Sequence, residues 1–155
     1  MGLSGLERVK SHLRERGIEA KIVVLDSSTK TSKLAAEALG CTTSQIAKSI
    51  VFKGSKPIVV VISGDKKVDL KRLSTTLGEK IELADPEYIR ANTGYEVGGV
   101  PPFPHAPAVK VYLDMSLFRW DEVWAAAGAP NAVMKIRVKD LAENIDALII
   151  DVAQS

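Results

Sequence analysis

Apolar residues at a spacing of three to four positions predict five short helices, and most of these have a capping residue or a glycine stop. The first carries Leu3, Leu6, Val9 and Leu13 and ends at Gly17. The others are predicted after Thr31 and closed by Gly40, after Asp69 and closed by Gly78, after Asp85-Pro86, and over Val138 to Asn144. Thr42 or Thr43 could cap one further helical turn.

Apolar and β-branched runs between these helices predict the strands of one sheet. The run 57–62 is apolar on both faces, which is typical of a central strand. The other predicted strands are 21–25, 48–52, 108–113, 147–152 and two hairpin arms, 123–126 and 133–137, around the turn 128–131. The pattern predicts a single mixed α+β domain, residues 1–155, with many strands around one core.

Composition limits the protein classes that fit this pattern. The 155 residues are 46% hydrophobic and 26% charged, which is typical of a globular domain, and no apolar run is long enough to cross a bilayer. The N-terminus has a charged residue too early for a signal peptide, and a single cysteine suits the reducing cytoplasm. We therefore expect a cytoplasmic protein. No set of ligand residues has metal spacing, so we expect no metal and no cofactor.

The net charge of +2 conceals an asymmetry that bears on partners. Residues 1–80 carry 15 Lys and Arg against 8 Asp and Glu, whereas residues 81–155 carry 6 against 11. A basic face that meets phosphates is one interpretation, and solvated lysines on turns are the other. Nucleic acid is a plausible partner, although the small total charge argues against strong binding by this chain alone.

Two features are candidates for chemistry. The segment 93–105, Thr-Gly-Tyr-Glu-Val-Gly-Gly-Val-Pro-Pro-Phe-Pro-His, combines glycine freedom with proline rigidity, so it could present main-chain N–H groups to a ligand or could be an ordinary stiff surface loop. Lys48 begins an otherwise apolar strand. It either points inward, where its ammonium needs compensation, or lies on the solvent face with its stem covered.

An ordered set of motifs resembles the YbaK-like family, which includes the editing domain of bacterial prolyl-tRNA synthetases and free-standing trans-editing proteins. The motifs are Thr31 with Ala35-Ala36 and Leu39-Gly40, the strand 46–52, Ser63-Gly64-Asp65 with Val68-Asp69-Leu70, the segment 93–103, Asp114, and Ala127-Gly128. The resemblance implies a strongly curved, barrel-like mixed sheet flanked by helices. It also implies hydrolysis of the ester that joins a wrong amino acid, such as Ala or Cys, to tRNA, most often prolyl tRNA.

The resemblance also implies site residues. Lys48 matches the essential lysine of the family, and Gly98 to Pro102 match its GxxxP loop, whose amides near Gly98 and Gly99 would hold the substrate carbonyl and terminal ribose. Substrate contacts are expected at Thr31, Ile50, Asp69, Thr93, Val100, Pro102, His105, Gly128 and Asn131. We expect Lys48 to supply positive charge rather than to attack, with a ribose hydroxyl of the substrate activating water.

Several of these positions have simpler explanations, and a second class of function remains open. His105 could equally be a surface histidine, Asp69 is first a helix cap, and His12 on the first helix is expected to face solvent. A non-catalytic module that binds aminoacyl-tRNA or a protein has the same sequence signature. Since no separate RNA-binding domain is predicted, the partner expected beyond the 3′ end of aminoacyl-tRNA is a prolyl-tRNA synthetase or an elongation factor that supplies tRNA affinity.

Overall fold

The computed structural model describes residues 2–26, 31–145 and 148–155. The helices are α1 (Gly5–Arg16), α2 (Ser32–Leu39), α3 (Leu70–Leu77), α4 (Pro86–Thr93) and α5 (Val138–Asn144), and 3-10 turns cover Thr43–Gln45 and Met115–Arg119. The strands are β1 (Ala20–Val24), β2 (Ile46–Lys53), β3 (Pro57–Ser63), β4 (Glu82–Leu83), β5 (Lys110–Asp114), β6 (Glu122–Ala126), β7 (Ala132–Arg137) and β8 (Leu148–Ile150).

Local capping chemistry sets most helix ends. The side chains of Thr31, Asp69 and Asp85 each accept a hydrogen bond from a main-chain N–H in the first turn of the helix that follows. Gly17, Gly40, Gly78 and Gly94 end their helices with positive φ angles between 64° and 76°. The helices predicted from these signals are therefore confirmed.

One mixed sheet contains all eight strands, in the order β1-β7-β6-β2-β3-β5-β8, with β4 paired to β2 outside this path. The β2–β3 and β6–β7 pairs are antiparallel, whereas β2–β6, β3–β5 and β5–β8 are parallel. The predicted mixed α+β architecture is confirmed. In the described residues the path ends at β1 and at β8, and no pairing joins these two strands.

Two hydrophobic cores cover the two faces of the sheet, and β3 contributes to both. Val59 and Val61 join the larger core beneath α1, while Ile58, Val60 and Ile62 join the smaller core with Leu73 of α3. All five are buried, which confirms the prediction that β3 is central.

Three expectations need correction. The strand predicted at 108 begins at Lys110, and the strand predicted over 147–152 is β8, Leu148–Ile150, with Ala147 outside the described residues. The segments β4 and Met115–Arg119 were not predicted. His12 does not face solvent: its ring centroid lies 4.9 Å from that of Phe103, and burial lowers the pKa of its imidazole.

Candidate active site

A gap in the hydrogen bonding of β2 opens the cavity that contains Lys48. On the side away from β3, β2 pairs with β6 only at Ile46 and Ala47 and with β4 only at Phe52 and Lys53. Lys48, Ser49 and Ile50 lie between these two short ladders and line a cavity of about 470 Å³. A cavity of this size is typical of a small-molecule site.

Five further elements complete the walls of this cavity. They are the start of α2, the 3-10 turn Thr43–Gln45, the glycine after β3, the loop after α4, and the β6–β7 hairpin. The lining residues from these elements include Thr31, Ser32, Lys33, Ala35, Gly64, Val97, Gly98, Val100, Trp124, Ala126 and Val133. The cavity lining therefore combines lysine and hydroxyl side chains with apolar side chains such as those of Val100, Trp124 and Val133.

Lys48 is partly buried in this wall and carries a perturbed charge. Burial lowers the pKa of its ammonium, and the nearby charge of Lys67 lowers it further, while Asp65 acts in the opposite direction. Among the described residues, no carboxylate lies within 4.0 Å of the ammonium. The cation therefore remains available for an anionic or carbonyl group of a ligand.

Asp65 is held by Arg119 and does not form an ion pair with Lys48. The Nη2 and Nη1 atoms of Arg119 donate to the two carboxylate oxygens of Asp65 at 2.6 and 3.2 Å, and Nη2 also donates to the Ser63 hydroxyl at 2.8 Å. The hydrogen bonds from Arg119 lower the pKa of Asp65. The 3-10 turn that carries Arg119 thus positions Asp65, the carboxylate whose charge raises the pKa of Lys48.

The glycine loop makes a tight turn at the cavity. The N–H of Gly99 donates to the Glu96 oxygen at 2.9 Å, and Gly98 inside this turn has a φ of 84°. In the described part of the chain the Gly98 N–H has no hydrogen-bond partner, and Gly98 lines the cavity. The expected donor role therefore fits Gly98 and not Gly99, whose N–H is already occupied.

Gly99 has a packing role instead. A Cβ built on it would lie 2.8 Å from the carbonyl carbon of Ala129, so only glycine allows the loop to approach the β6–β7 hairpin this closely. The loop is also tied at both ends: Arg8 donates to the Gly94 oxygen at 2.6 Å, and the Tyr95 hydroxyl donates to the Pro104 oxygen at 2.8 Å.

The structure brings together five of the predicted site residues at this cavity and places the other seven elsewhere. Lys48, Gly98, Thr31, Ile50 and Val100 line it. Apart from Gly99, discussed above, those outside its described lining are Asp69, Thr93, Pro102, His105, Gly128 and Asn131.

Each of these six residues has a hydrogen bond, a packing contact or a position in another cavity. Asp69 caps α3, and the Thr93 hydroxyl donates to the Ile89 oxygen at 2.6 Å. Gly128 packs against Gly5 of α1, and the Asn131 amide donates to the Leu25 oxygen at 3.2 Å. Pro102 and His105 line a second cavity.

Ser49 and Trp124 are cavity residues that sequence reasoning missed. The Oγ atom of Ser49 is buried and has no hydrogen-bond partner in the described structure. A hydroxyl next to Lys48 in an otherwise apolar strand was the available signal for Ser49. Trp124 lies at the β2–β6 junction, opposite Ile46, and only the strand order could have placed it there.

The described residues contain no group of three or more His, Cys, Asp and Glu side chains able to hold a metal ion. In the same residues, no helix has the length and apolar character needed to span a bilayer.

A cation and a main-chain donor in one small cavity are the elements of a site that polarises a carbonyl group. Residues 26–143 match the model of the aminoacyl-tRNA editing domain. This chain belongs to the aminoacyl-tRNA editing domain family.

Relatives that cover most of the chain accompany this assignment. The Bacillus subtilis protein YwhH is 36% identical over 140 residues, 89% of each chain. An Enterococcus faecalis protein named "Putative Cys-tRNA(Pro)/Cys-tRNA(Cys) deacylase EbsC" is 31% identical over 119 residues, 70% of this chain and 73% of that one. A solved structure of "a putative trans-editing enzyme for prolyl tRNA synthetase" superposes with a TM-score of 0.90 at 37% identity, covering 99% of this chain and 100% of the other.

Proposed function

We propose that this protein hydrolyses the ester bond between a small amino acid, such as Ala or Cys, and the 3′ end of mischarged prolyl tRNA. The single observation that carries the proposal is the shared cavity of Lys48 and Gly98, in which the ammonium has no ion-pair partner among the described residues and the amide has no acceptor. The names of the relatives support the same chemistry. For such a substrate we expect a cytoplasmic reaction.

In this mechanism the protein acts mainly by electrostatic stabilisation. The ester carbonyl accepts from the Gly98 N–H, and Lys48 provides positive charge for the oxyanion that forms when water adds to the carbonyl carbon. A neighbouring ribose hydroxyl of the substrate relays the proton: it takes one proton from that water and gives its own proton to the ester oxygen of the ribose. The bond from the carbonyl carbon to that ester oxygen breaks as the oxygen is protonated, and the free amino acid and tRNA are released.

Apolar side chains in the cavity lining support a small amino acid as the edited residue. They include Ala35, Ala126, Val133 and Trp124. A pocket of this kind discriminates by about 1–3 kcal/mol per methylene, so it would reject proline mainly by size and shape. The name of the Enterococcus relative, a Cys-tRNA deacylase, fits this size range.

The experiment that tests the proposal is a deacylation panel of prolyl tRNA charged with Ala, Cys, Ser or Pro. We expect turnover of a misacylated species and none of Pro-tRNA. Lys48→Ala should lower kcat by about 10²–10³-fold while the far-UV spectrum and unfolding transition remain those of a folded protein. Lys56→Ala, an exposed lysine in the β2–β3 turn, is the matched control and should retain wild-type turnover.

Two outcomes would contradict the proposal. Full activity of Lys48→Ala would show that Lys48 does not stabilise the oxyanion. Tight binding of aminoacyl-tRNA without turnover by the wild-type protein would instead support a non-catalytic binding module. Adding a prolyl-tRNA synthetase or an elongation factor to the same assay tests whether a partner supplies tRNA affinity, since either should lower KM without changing kcat.

A further inference from the structure

The continuation of the glycine loop lines a second cavity, of about 670 Å³, that the proposed reaction does not use. Pro102 to Pro107 form one wall, and α1, β5 and the end of α5 contribute the others. Gly98 and Val100 line the first cavity, so the two cavities share one loop. The volume lies within the range of about 300–1,000 Å³ that small-molecule sites occupy.

Two imidazole nitrogens at this cavity are buried without a partner in the described structure, Nε2 of His12 and Nδ1 of His105. Burial lowers the pKa of both histidines, so both are neutral near neutral pH. Nε2 of His105 lies 2.7 Å from the Pro101 oxygen, which can only accept, so this nitrogen carries the proton. Nδ1 of His105 is therefore a hydrogen-bond acceptor that lacks a donor.

The remaining polar groups favour a ligand with an amino group and an anionic group. The Asn144 amide donates to the Asp140 oxygen, which leaves its own carbonyl oxygen as a second acceptor in the wall. Among the described lining residues the charged side chains are Arg16 and Lys110, both basic and exposed. Apolar and ring surfaces from Pro107, Val109, Val111, Tyr112 and Leu148 make up much of the rest.

A nucleoside monophosphate unit has an amino donor for the acceptors, a flat ring for the apolar surfaces and an anionic group for the basic side chains. Cytosine and adenine carry an exocyclic amino donor, their flat faces pack on aromatic and apolar side chains, and the phosphate is an anion. We propose that the second cavity binds a nucleoside monophosphate unit, with the base amino group directed to His105 and the phosphate contacting Arg16 and Lys110. The unit is either a free nucleotide or a nucleotide near the 3′ end of the substrate tRNA, and the second source rests on the proposed function.

Calorimetric titration with CMP, AMP, cytidine and inorganic phosphate tests the site directly. We expect CMP or AMP to bind more tightly than cytidine or phosphate alone. Arg16→Gln should weaken nucleotide binding about tenfold, because it removes a charge-assisted contact to phosphate. Arg14→Gln is the matched control: Arg14 lies in the same last turn of α1, is also exposed and is not among the described residues that line the cavity.

Deacylation kinetics of the same variants distinguish the two sources. A higher KM with unchanged kcat in Arg16→Gln but not in Arg14→Gln identifies the tRNA nucleotide, and unchanged KM with weakened nucleotide binding identifies a free nucleotide. If the wild-type protein binds nucleotides but hydrolyses no aminoacyl-tRNA, the proposed function fails and this site stands. The proposal is overturned if the wild-type protein binds neither CMP nor AMP, or if Arg16→Gln binds them as tightly as the wild type does.

Discussion

Arg119 and Asp65 form a two-pronged ion pair, with Nη–O distances of 2.6 and 3.2 Å, beside the cavity of Lys48. Because both carboxylate oxygens are engaged, Asp65 is not free to neutralise the lysine. The cationic character of the proposed active site therefore depends on an arginine from the distant 3-10 turn Met115–Arg119.

We expect Arg119→Met to lower deacylation although Arg119 is outside the described lining of the cavity. The freed Asp65 can then turn toward Lys48 and reduce the charge available to the oxyanion. The pH–rate profile distinguishes this from a purely structural effect: its alkaline limb should move to higher pH, because a carboxylate partner raises the pKa of Lys48. An unchanged alkaline limb in Arg119→Met would contradict the argument, and Arg119→Lys should be intermediate.

The same pair gives a stability prediction with a defined pH dependence. The folded-state pKa of Asp65 is lowered, so its contribution is present above the ordinary carboxylate pKa and is lost as pH falls through the folded value. Since the Arg119 and Asp65 side chains are 41% and 35% exposed, the contribution near neutral pH should be only about 0.5–1 kcal/mol. Denaturant unfolding of wild type and Arg119→Met near pH 7 and at successively lower pH should show a difference that shrinks as pH falls through the folded pKa of Asp65 and is lost below it.

The pH–rate profile of the wild-type enzyme should report Lys48. Its lowered pKa means that the ammonium loses its proton below the ordinary lysine value of about 10.4, so catalysed deacylation should decline as pH rises through that lowered pKa. Spontaneous ester hydrolysis must be subtracted at each pH. In Lys48→Arg the guanidinium stays protonated, and the alkaline limb should be absent. Retention of the limb in that variant would mean that another group titrates.

Ser49→Ala should separate a substrate contact from a structural one. The Ser49 hydroxyl is buried and unpaired in the described structure, so its removal should leave the unfolding free energy unchanged or raise it by about 1 kcal/mol. If the hydroxyl binds substrate, KM should nevertheless rise. Ser63→Ala is the contrasting variant: the Ser63 hydroxyl donates to the Ser44 oxygen and accepts from Arg119, so its loss should destabilise the fold.

Gly99→Ala should lower both stability and activity, because the added methyl group has no space. The nearest atoms to the added methyl group belong to the main chain of Ala129, at 2.8 and 2.9 Å, and cannot move without shifting the hairpin. We expect a loss of about 1–3 kcal/mol in unfolding free energy together with lower kcat, because the Gly98 amide would be displaced. Gly2→Ala has no atom within 4 Å of the new methyl group and serves as the control. Wild-type stability of Gly99→Ala would show that the loop and the hairpin can separate.

Most helices could be predicted because their capping signals lie within a few residues of each other. Contacts between distant segments of the chain could not be predicted. The caps Thr31 and Asp69 and the stop at Gly78 are readable because both partners lie within one turn of helix. The two residues of β4, Glu82 and Leu83, are exposed and too few to form a periodic pattern.

Contacts between distant segments also limited the prediction of the candidate site. Lys48 and Gly98 could be predicted from a motif, but the hydrogen bond from Gly99 to Glu96 depends on the shape of the turn. The contact between His12 and Phe103 depends on how α1 packs against the loop. Neither leaves a signature in the order of residues.

The change of partner along β2 also constrains how this site can vary. The pairs at Ala47 and Phe52 fix both ends of the opening, so substitutions of side chains can alter its depth while its span along the strand stays constant. Trp124 and Val133 line the same cavity from β6 and β7, on strands other than the one that carries Lys48. The architecture therefore allows the choice of amino acid to evolve separately from the chemistry that removes it.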